Sequence, residues 1–150
     1  MEKSLWGTYK RSPMGVTISR RFDFSASHRY YRDDWSTADN ERVFGLCALP
    51  NGHGHNYVLE VAVDGEPDPA TGMVINLVNL KSAVDGVLTG FDHKHLNLDT
   101  PYFADRQPTT ENLATVLWGL IIEAIEPSRL SRLRLYETED LFVEYFGATT

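Results

Sequence analysis

A single cysteine in 150 residues means that no internal disulfide can form. That composition fits a reducing compartment, and the cytoplasm is the expected location. Long hydrophobic runs are also missing: no apolar segment approaches the roughly 20 residues that a membrane-spanning helix needs. The first thirteen residues, MEKSLWGTYKRSP, have no apolar core, which argues against a secretory signal. Basic residues are scarce, with 14 Lys and Arg against 21 Asp and Glu and a net charge of −7. Such a chain does not fit a nucleic-acid binder or a basic membrane-surface protein. It leaves room for an anionic small-molecule substrate, because a few local basic residues suffice to line a pocket. Repeats and low-complexity tracts are absent as well. One domain over residues 1–150 is expected, long enough for a single core. Residues 1–14, polar and mixed, read as a mobile N-terminal arm.

What the sequence does have is a histidine-bearing stretch from Cys47 to Tyr57, CALPNGHGHNY. Pro50, Asn51 and Gly52 mark a turn. Tyr57, Leu59, Val61 and Val63 then alternate and predict a strand from His53 to Val63. Residues two apart on a strand share a face, so His53 and His55 project side by side, about 7 Å apart at the backbone. Upstream, Val16, Ile18, Phe22, Phe24, Ala26 and His28 share parity and predict a first strand. Antiparallel pairing of the two strands would bring His28 to His53 and His55. Three imidazoles with a free position make an open zinc site able to act as a Lewis acid. The alternative for each is a surface or core histidine.

Residues 29–52 form a long connection without periodicity, and loops of that length are usually functional or locally folded. Leu77, Leu80, Val84, Val87 and Leu88 predict a helix capped by Asn76 and stopped by Gly90. A second helix starts at Thr109 or Thr110, with its apolar stripe at Leu113, Val116, Leu117, Leu120, Ile121 and Ala124 and its end at Pro127. Leu133, Leu135 and Glu137 alternate in a third strand, and Leu141, Val143 and Tyr145 in a fourth. The order ββααββ gives an α+β fold: a four-stranded antiparallel sheet with two helices on one face. Its open edges need protection, and oligomerisation is one solution.

Other residues carry chemistry with an alternative beside it. Cys47, near a turn and a dication, fits a base or nucleophile of lowered pKa. It also fits a buried small hydrophobe or a fourth ligand that would close the site. Asp92 and His93 fit an acid–base pair, but adjacent residues need not face each other, and the dipeptide alone favours a turn aspartate beside a surface histidine. Glu137 lies on the leucine face, where a carboxylate needs a partner. It could accept paired N–H donors from a guanidine-like ring edge, unless a twist or bulge turns it to solvent. Thr110 and Glu111 read on their own as helix-start residues.

The segments FSASHR (24–29), VFGLC (43–47), PNGHGHNY (50–57), DPATGMVINL (68–77), FDHKHLNLD (91–99), PYFAD (101–105), PTTEN (108–112) and LYET (135–138) stand in an order that closely resembles the 6-pyruvoyltetrahydropterin synthase family, which includes 6-carboxytetrahydropterin synthase. The resemblance implies the T-fold, or tunnelling fold. In it, trimers close their sheets into a barrel, two trimers stack into a homohexamer, and active sites lie at subunit interfaces. It implies zinc held by His28, His53 and His55, with Cys47 as catalytic base. It implies Asp92 and His93 as a partner dyad, reversing the reading of that dipeptide. Glu137 becomes the pterin anchor, and Thr110 and Glu111 belong to the same substrate-binding pocket. The dyad and Glu137 would supply the other half of the site, with a neighbouring subunit as one source.

The implied substrate is 7,8-dihydroneopterin triphosphate and the implied enzyme a carbon–oxygen lyase. Internal redox reduces the ring without a nicotinamide, and triphosphate is eliminated. The product is either 6-pyruvoyltetrahydropterin, for tetrahydrobiopterin biosynthesis, or 6-carboxytetrahydropterin, for queuosine biosynthesis. Five residues between Cys47 and His53 resemble the pyruvoyl type, though longer bacterial members share that spacing. Cys47 argues against the folate-route variant, which carries glutamate there. Two other readings stand beside these. One is a non-catalytic zinc- or pterin-binding T-fold protein. The other is a cupin-like metal oxygenase, superficially matched by His53, His55 and Glu60, although Glu60 has the wrong parity.

Overall fold

The structure is a computed structural model and describes residues 15–125 and 129–149. The expected arm at 1–14 and the helix-ending Pro127 lie outside the described residues. Strands β1 (Val16–His28) and β2 (His53–Gly65) pair antiparallel along their whole length, from Val16 opposite Gly65 to His28 opposite His53. β2 runs two residues beyond its expected end at Val63. Strand β4 (Leu130–Thr138) pairs antiparallel with β2, and β5 (Leu141–Tyr145) with β4. These are the four expected strands. A two-residue strand, β3 (Lys94–His95), joins β1 in parallel at Ala26 and Ser27, giving the order β3-β1-β2-β4-β5.

Alternation decides which face is buried. Phe22, Phe24 and Ala26 of β1, Tyr57, Leu59, Val61 and Val63 of β2, and Leu133 and Leu135 of β4 are all buried on one face. Two helices pack there: α2 (Leu77–Leu88) through Leu80, Val84 and Leu88, and α4 (Thr110–Ala124) through Leu113, Leu117 and Ile121. Asn76 caps α2 by accepting from the Val78 and Asn79 amides at 2.9 and 3.2 Å. Thr109, not Thr110, caps α4, its hydroxyl accepting from Asn112 N–H at 3.2 Å. The Thr110 hydroxyl is therefore left for another partner.

The opposite face is polar. One row crosses four strands in register, Arg21 opposite Glu60, Glu60 opposite Arg134 and Arg134 opposite Glu144, with alternating charge. Ion-pair distances along it are 4.0, 3.6 and 2.6 Å, and Arg132 bridges Glu60 and Glu144 at 3.7 and 3.6 Å. Glu60 thus points away from His53 and His55, which removes the cupin-like correspondence.

The connection 29–52 is locally folded. It holds α1 (Thr37–Phe44), capped by Ser36, then a 3-10 turn (Gly45–Ala48) that carries Cys47. Neither shows in a hydrophobic pattern, because the buried residue of α1 is Asn40. Past His28 the chain has no neighbouring strand, and side-chain amides take its place. Asn97 accepts from Arg29 N–H and donates to Arg29 O, both at 2.9 Å. Gln107 does the same for Tyr31 at 3.0 and 2.9 Å, and Asn40 for Arg32 at 2.7 and 2.9 Å. From the other side Tyr30 N–H donates to Cys47 O at 2.8 Å, fixing the turn beside the end of β1. A final short turn, α3 (Leu96–Asp99), places Asn97.

The core carries the stability. Leu117→Ala, at a site with no exposure, should lower the unfolding free energy by about 2–5 kcal/mol. Leu98→Ala, at a residue 79% exposed, should change it by no more than about 0.5 kcal/mol. Urea unfolding of both variants checks this.

Candidate active site

The site begins at the turn before β2. Gly52 has φ +64, and a Cβ there would lie 2.3 Å from His28 O. Only glycine lets the turn close tightly enough to set His53 opposite His28. The pairing and the two-residue strand period then gather three rings, with centroids 5.0, 5.0 and 4.8 Å apart. One ring nitrogen from each of His28, His53 and His55 lies within 4.8 Å of the others, and His28 Nε2 is 3.1 Å from His53 Nε2.

Burial works against a charge on two of these rings, His28 and His55. His28 is fully buried, and burial, followed by the neighbouring His55, His53 and His95, lowers its pKa to about 3. Burial also lowers the pKa of His55, partly opposed by Glu137 and reinforced by His53. His55 Nε2 is buried without a hydrogen bond; Glu137 Oε1 is 3.2 Å away but not aligned for one. A buried ring nitrogen without a partner is unusual and calls for an occupant. Three imidazoles with converging ring nitrogens suit a divalent transition metal, so the residues present fit such an ion. Among the described residues no cysteine or carboxylate joins all three nitrogens as a fourth member of the cluster.

Two groups flank the rings. Cys47 Sγ lies 3.5 Å from His53 Nε2. Burial, with Glu137 second, raises the thiol pKa in the metal-free protein, contrary to the lowered value expected beside a dication. The cation itself must supply that lowering. Glu137 falls at a register shift between β4 and β5, with Tyr136 opposite Phe142 and Thr138 opposite Leu141. The bulge does not turn it to solvent: the side chain is 10% exposed and faces His55. Its Oε2 accepts from the Thr110 hydroxyl and, at 3.4 Å, from Tyr30. Glu137 therefore reaches His55 within one chain. Glu111 is exposed in the first turn of α4, and no hydrogen bond joins it to Glu137.

Asp92 and His93 do face each other, with Asp92 Oδ1 3.0 Å from His93 Nδ1. His93 has φ +58, which folds its backbone back so that its N–H donates to Ser25 O at 2.6 Å. Asp92 Oδ1 accepts from Ser25 N–H at 2.8 Å, and this bond is the main cause of its lowered pKa. The dyad is thereby clamped to the outer edge of β1, with the His93 ring 83% exposed. No hydrogen bond or ion pair among the described residues joins it to Cys47 or the three clustered histidines. His93 lines a cleft of about 480 Å³ together with Ser25, Asn56, Lys94, Asp99 and His55, one of the three clustered imidazoles.

Two tyrosines escaped the sequence reading as site residues. Tyr57 Oη lies 3.0 Å from His28 Nδ1, and the Tyr30 ring packs on His28 at 4.5 Å. Each stands two residues beyond a histidine, and that spacing was the available signal.

A helix-backed sheet with an imidazole centre at one end defines a class, the T-fold proteins with a metal-type site. Residues 17–148 match the family described as 6-pyruvoyl tetrahydropterin synthase. The human 6-pyruvoyl tetrahydrobiopterin synthase is 47% identical over 131 residues, 87% of this chain and 90% of the human one. A dihydroneopterin monophosphate aldolase from Pyrococcus furiosus is 34% identical over 138 residues, covering 87% of this chain and 97% of its own. The solved 6-pyruvoyl tetrahydropterin synthase of Caenorhabditis elegans superposes with a TM-score of 0.85 at 38% identity, over 90% of this chain and 98% of that one. The chain belongs to the 6-pyruvoyl tetrahydropterin synthase family.

The site makes a direct prediction. Chelator-treated protein should take up one cobalt ion per chain and gain the visible absorption of a low-coordinate centre. His28→Ala or His53→Ala should weaken uptake by roughly a hundredfold, since each removes a direct donor. Metal analysis after gel filtration reads the outcome.

Proposed function

We propose that the chain is a zinc-dependent lyase that converts 7,8-dihydroneopterin triphosphate to 6-pyruvoyltetrahydropterin and triphosphate. The carrying observation is that Cys47 and Glu137, from separate segments, both meet the His28–His53–His55 cluster. A non-catalytic zinc or pterin binder has no need of a thiol at that place.

His28, His53 and His55 would hold the zinc, which when bound would supply a Lewis acid for the substrate's side-chain hydroxyls and favour the Cys47 thiolate. Glu137, held by Thr110, accepts N–H donors from the amino-pyrimidine edge and so orients the ring. Cys47 then takes a carbon-bound proton as general base. Asp92 holds the His93 imidazole, which moves a proton on the other side of the side chain. Oxidation of the side chain matches reduction of the ring, so no external reductant is needed, and triphosphate departs with the electron pair of its C–O bond.

The dyad works on this substrate if a neighbouring subunit presents it. His93 is exposed beside one open sheet edge, no hydrogen bond among the described residues joins it to Cys47, and β5 leaves the opposite edge open among the described residues. Edge pairing would close three sheets into a barrel, and two such trimers give the proposed homohexamer. No described helix is long and apolar enough to cross a membrane; a cytoplasmic location remains part of the proposal. The names of the relatives support the tetrahydrobiopterin product over the queuosine one.

Zinc-loaded protein incubated with 7,8-dihydroneopterin triphosphate should release triphosphate and a pterin with the mass of the pyruvoyl compound. A carboxylated ring with acetaldehyde would assign the queuosine route instead, and unchanged substrate would sink the proposal. Cys47→Ala should keep its zinc and lose about 10²–10⁴-fold in turnover. Cys47→Ala and His93→Ala subunits, each inactive alone, should regain activity when reassembled together, in roughly a quarter of sites for random mixing. Failure to complement would place the dyad and the thiol in one subunit.

A further inference from the structure

We propose that Tyr57 is a positioning residue for the metal centre, its hydroxyl setting the His28 ring with the proton on Nδ1 and the lone pair on Nε2. The inference rests on the metal-centre reading above. His28 and Tyr57 are both fully buried, and Tyr57 Oη stands 3.0 Å from His28 Nδ1. The opposite nitrogen, Nε2, faces His53 Nε2 at 3.1 Å. Among the described residues no other hydrogen bond reaches Nδ1. A buried ring N–H needs an acceptor, and the phenol oxygen is the one in place.

A phenol both donates and accepts. With the ring proton on Nδ1, that N–H donates to Tyr57 Oη and Nε2 turns a free lone pair toward the cluster. With it on Nε2, the Tyr57 hydroxyl donates to Nδ1 and Nε2–H points at His53. The proton count is the same, and only the first arrangement can bind an ion through Nε2. Phenylalanine would leave Nδ1 without a partner in either arrangement. The Tyr57 ring stacks on Phe24, its cross-strand partner, at 5.0 Å and 9°, a packing contact that does not involve the hydroxyl. Groups that orient a ligating histidine through its second nitrogen typically set metal affinity by 10–100-fold.

The test uses the full chain, freed of metal, and zinc alone in competition with a chromophoric chelator. Tyr57→Phe should bind zinc roughly ten- to a hundredfold more weakly than the parent. Phe24→Leu, which disturbs the same stacked ring while keeping the hydroxyl, should lower the melting temperature and leave zinc affinity within about twofold of the parent. Equal zinc affinity for Tyr57→Phe and the parent would overturn the inference, as would an equal loss in Phe24→Leu. A parent that binds no zinc would instead remove the metal-centre reading itself. Nitrogen-15 spectra of the zinc-loaded parent give a check that needs no variant: His28 should show a protonated Nδ1 and a metal-bound Nε2, and the reverse assignment would overturn it.

Discussion

The site depends on one pairing, the antiparallel register of β1 with β2 that sets His28 against His53. Side chains alternate across a strand, so a slip of one residue would send every buried group of β1 to the polar face. Phe22, Phe24 and Ala26 would leave the core together with His28. The imidazole cluster is thus a continuation of the core: the alternation that buries Phe24 against Tyr57 also carries the ring nitrogens to the end of the sheet. The metal-type centre and the hydrophobic core share one structural cause.

The rest of the site is attached by polar contacts at places where regular pairing stops. Past His28, the carboxamides of Asn97, Gln107 and Asn40 act as surrogate strand partners and hold residues 29–32 extended. That extension brings Tyr30 to the Cys47 backbone and so delivers the thiol. On β4, a bulge at Glu137 breaks the pairing and leaves the carboxylate aimed at His55 and tied to Thr110. Bulges next to functional sites commonly re-aim one side chain in this way.

Much of this was legible in the sequence because alternation and helical spacing are local signals. The four antiparallel strands, the two covering helices and the convergence of His28, His53 and His55 all follow from periods of two and 3.6. α1 was not legible, since an amphipathic pattern cannot reveal a helix whose buried residue is an asparagine. β3 is too short to have a period. The facing of Asp92 and His93 depends on a left-handed backbone at His93, and nothing in the dipeptide signals it. The family resemblance, not the spacing, singled out that pair. The roles of Tyr30 and Tyr57 required knowing what lay behind each histidine ring.

Alternation fixes only parity, and a shift of two residues would keep every core side chain on its proper face. The charged row across the sheet separates those otherwise equivalent alignments. Moving β1 by two in one direction sets Asp23 against Glu60; in the other, it sets Arg21 against Val58 and leaves Ser19 facing Glu60. Partly exposed ion pairs of this kind add little to stability, about 0–1 kcal/mol each. Their weight lies in discrimination between near-identical pairings, because like charges directly opposite are penalised. The polar face thereby sets the position of the imidazole-bearing end of the sheet to within one step of the ladder.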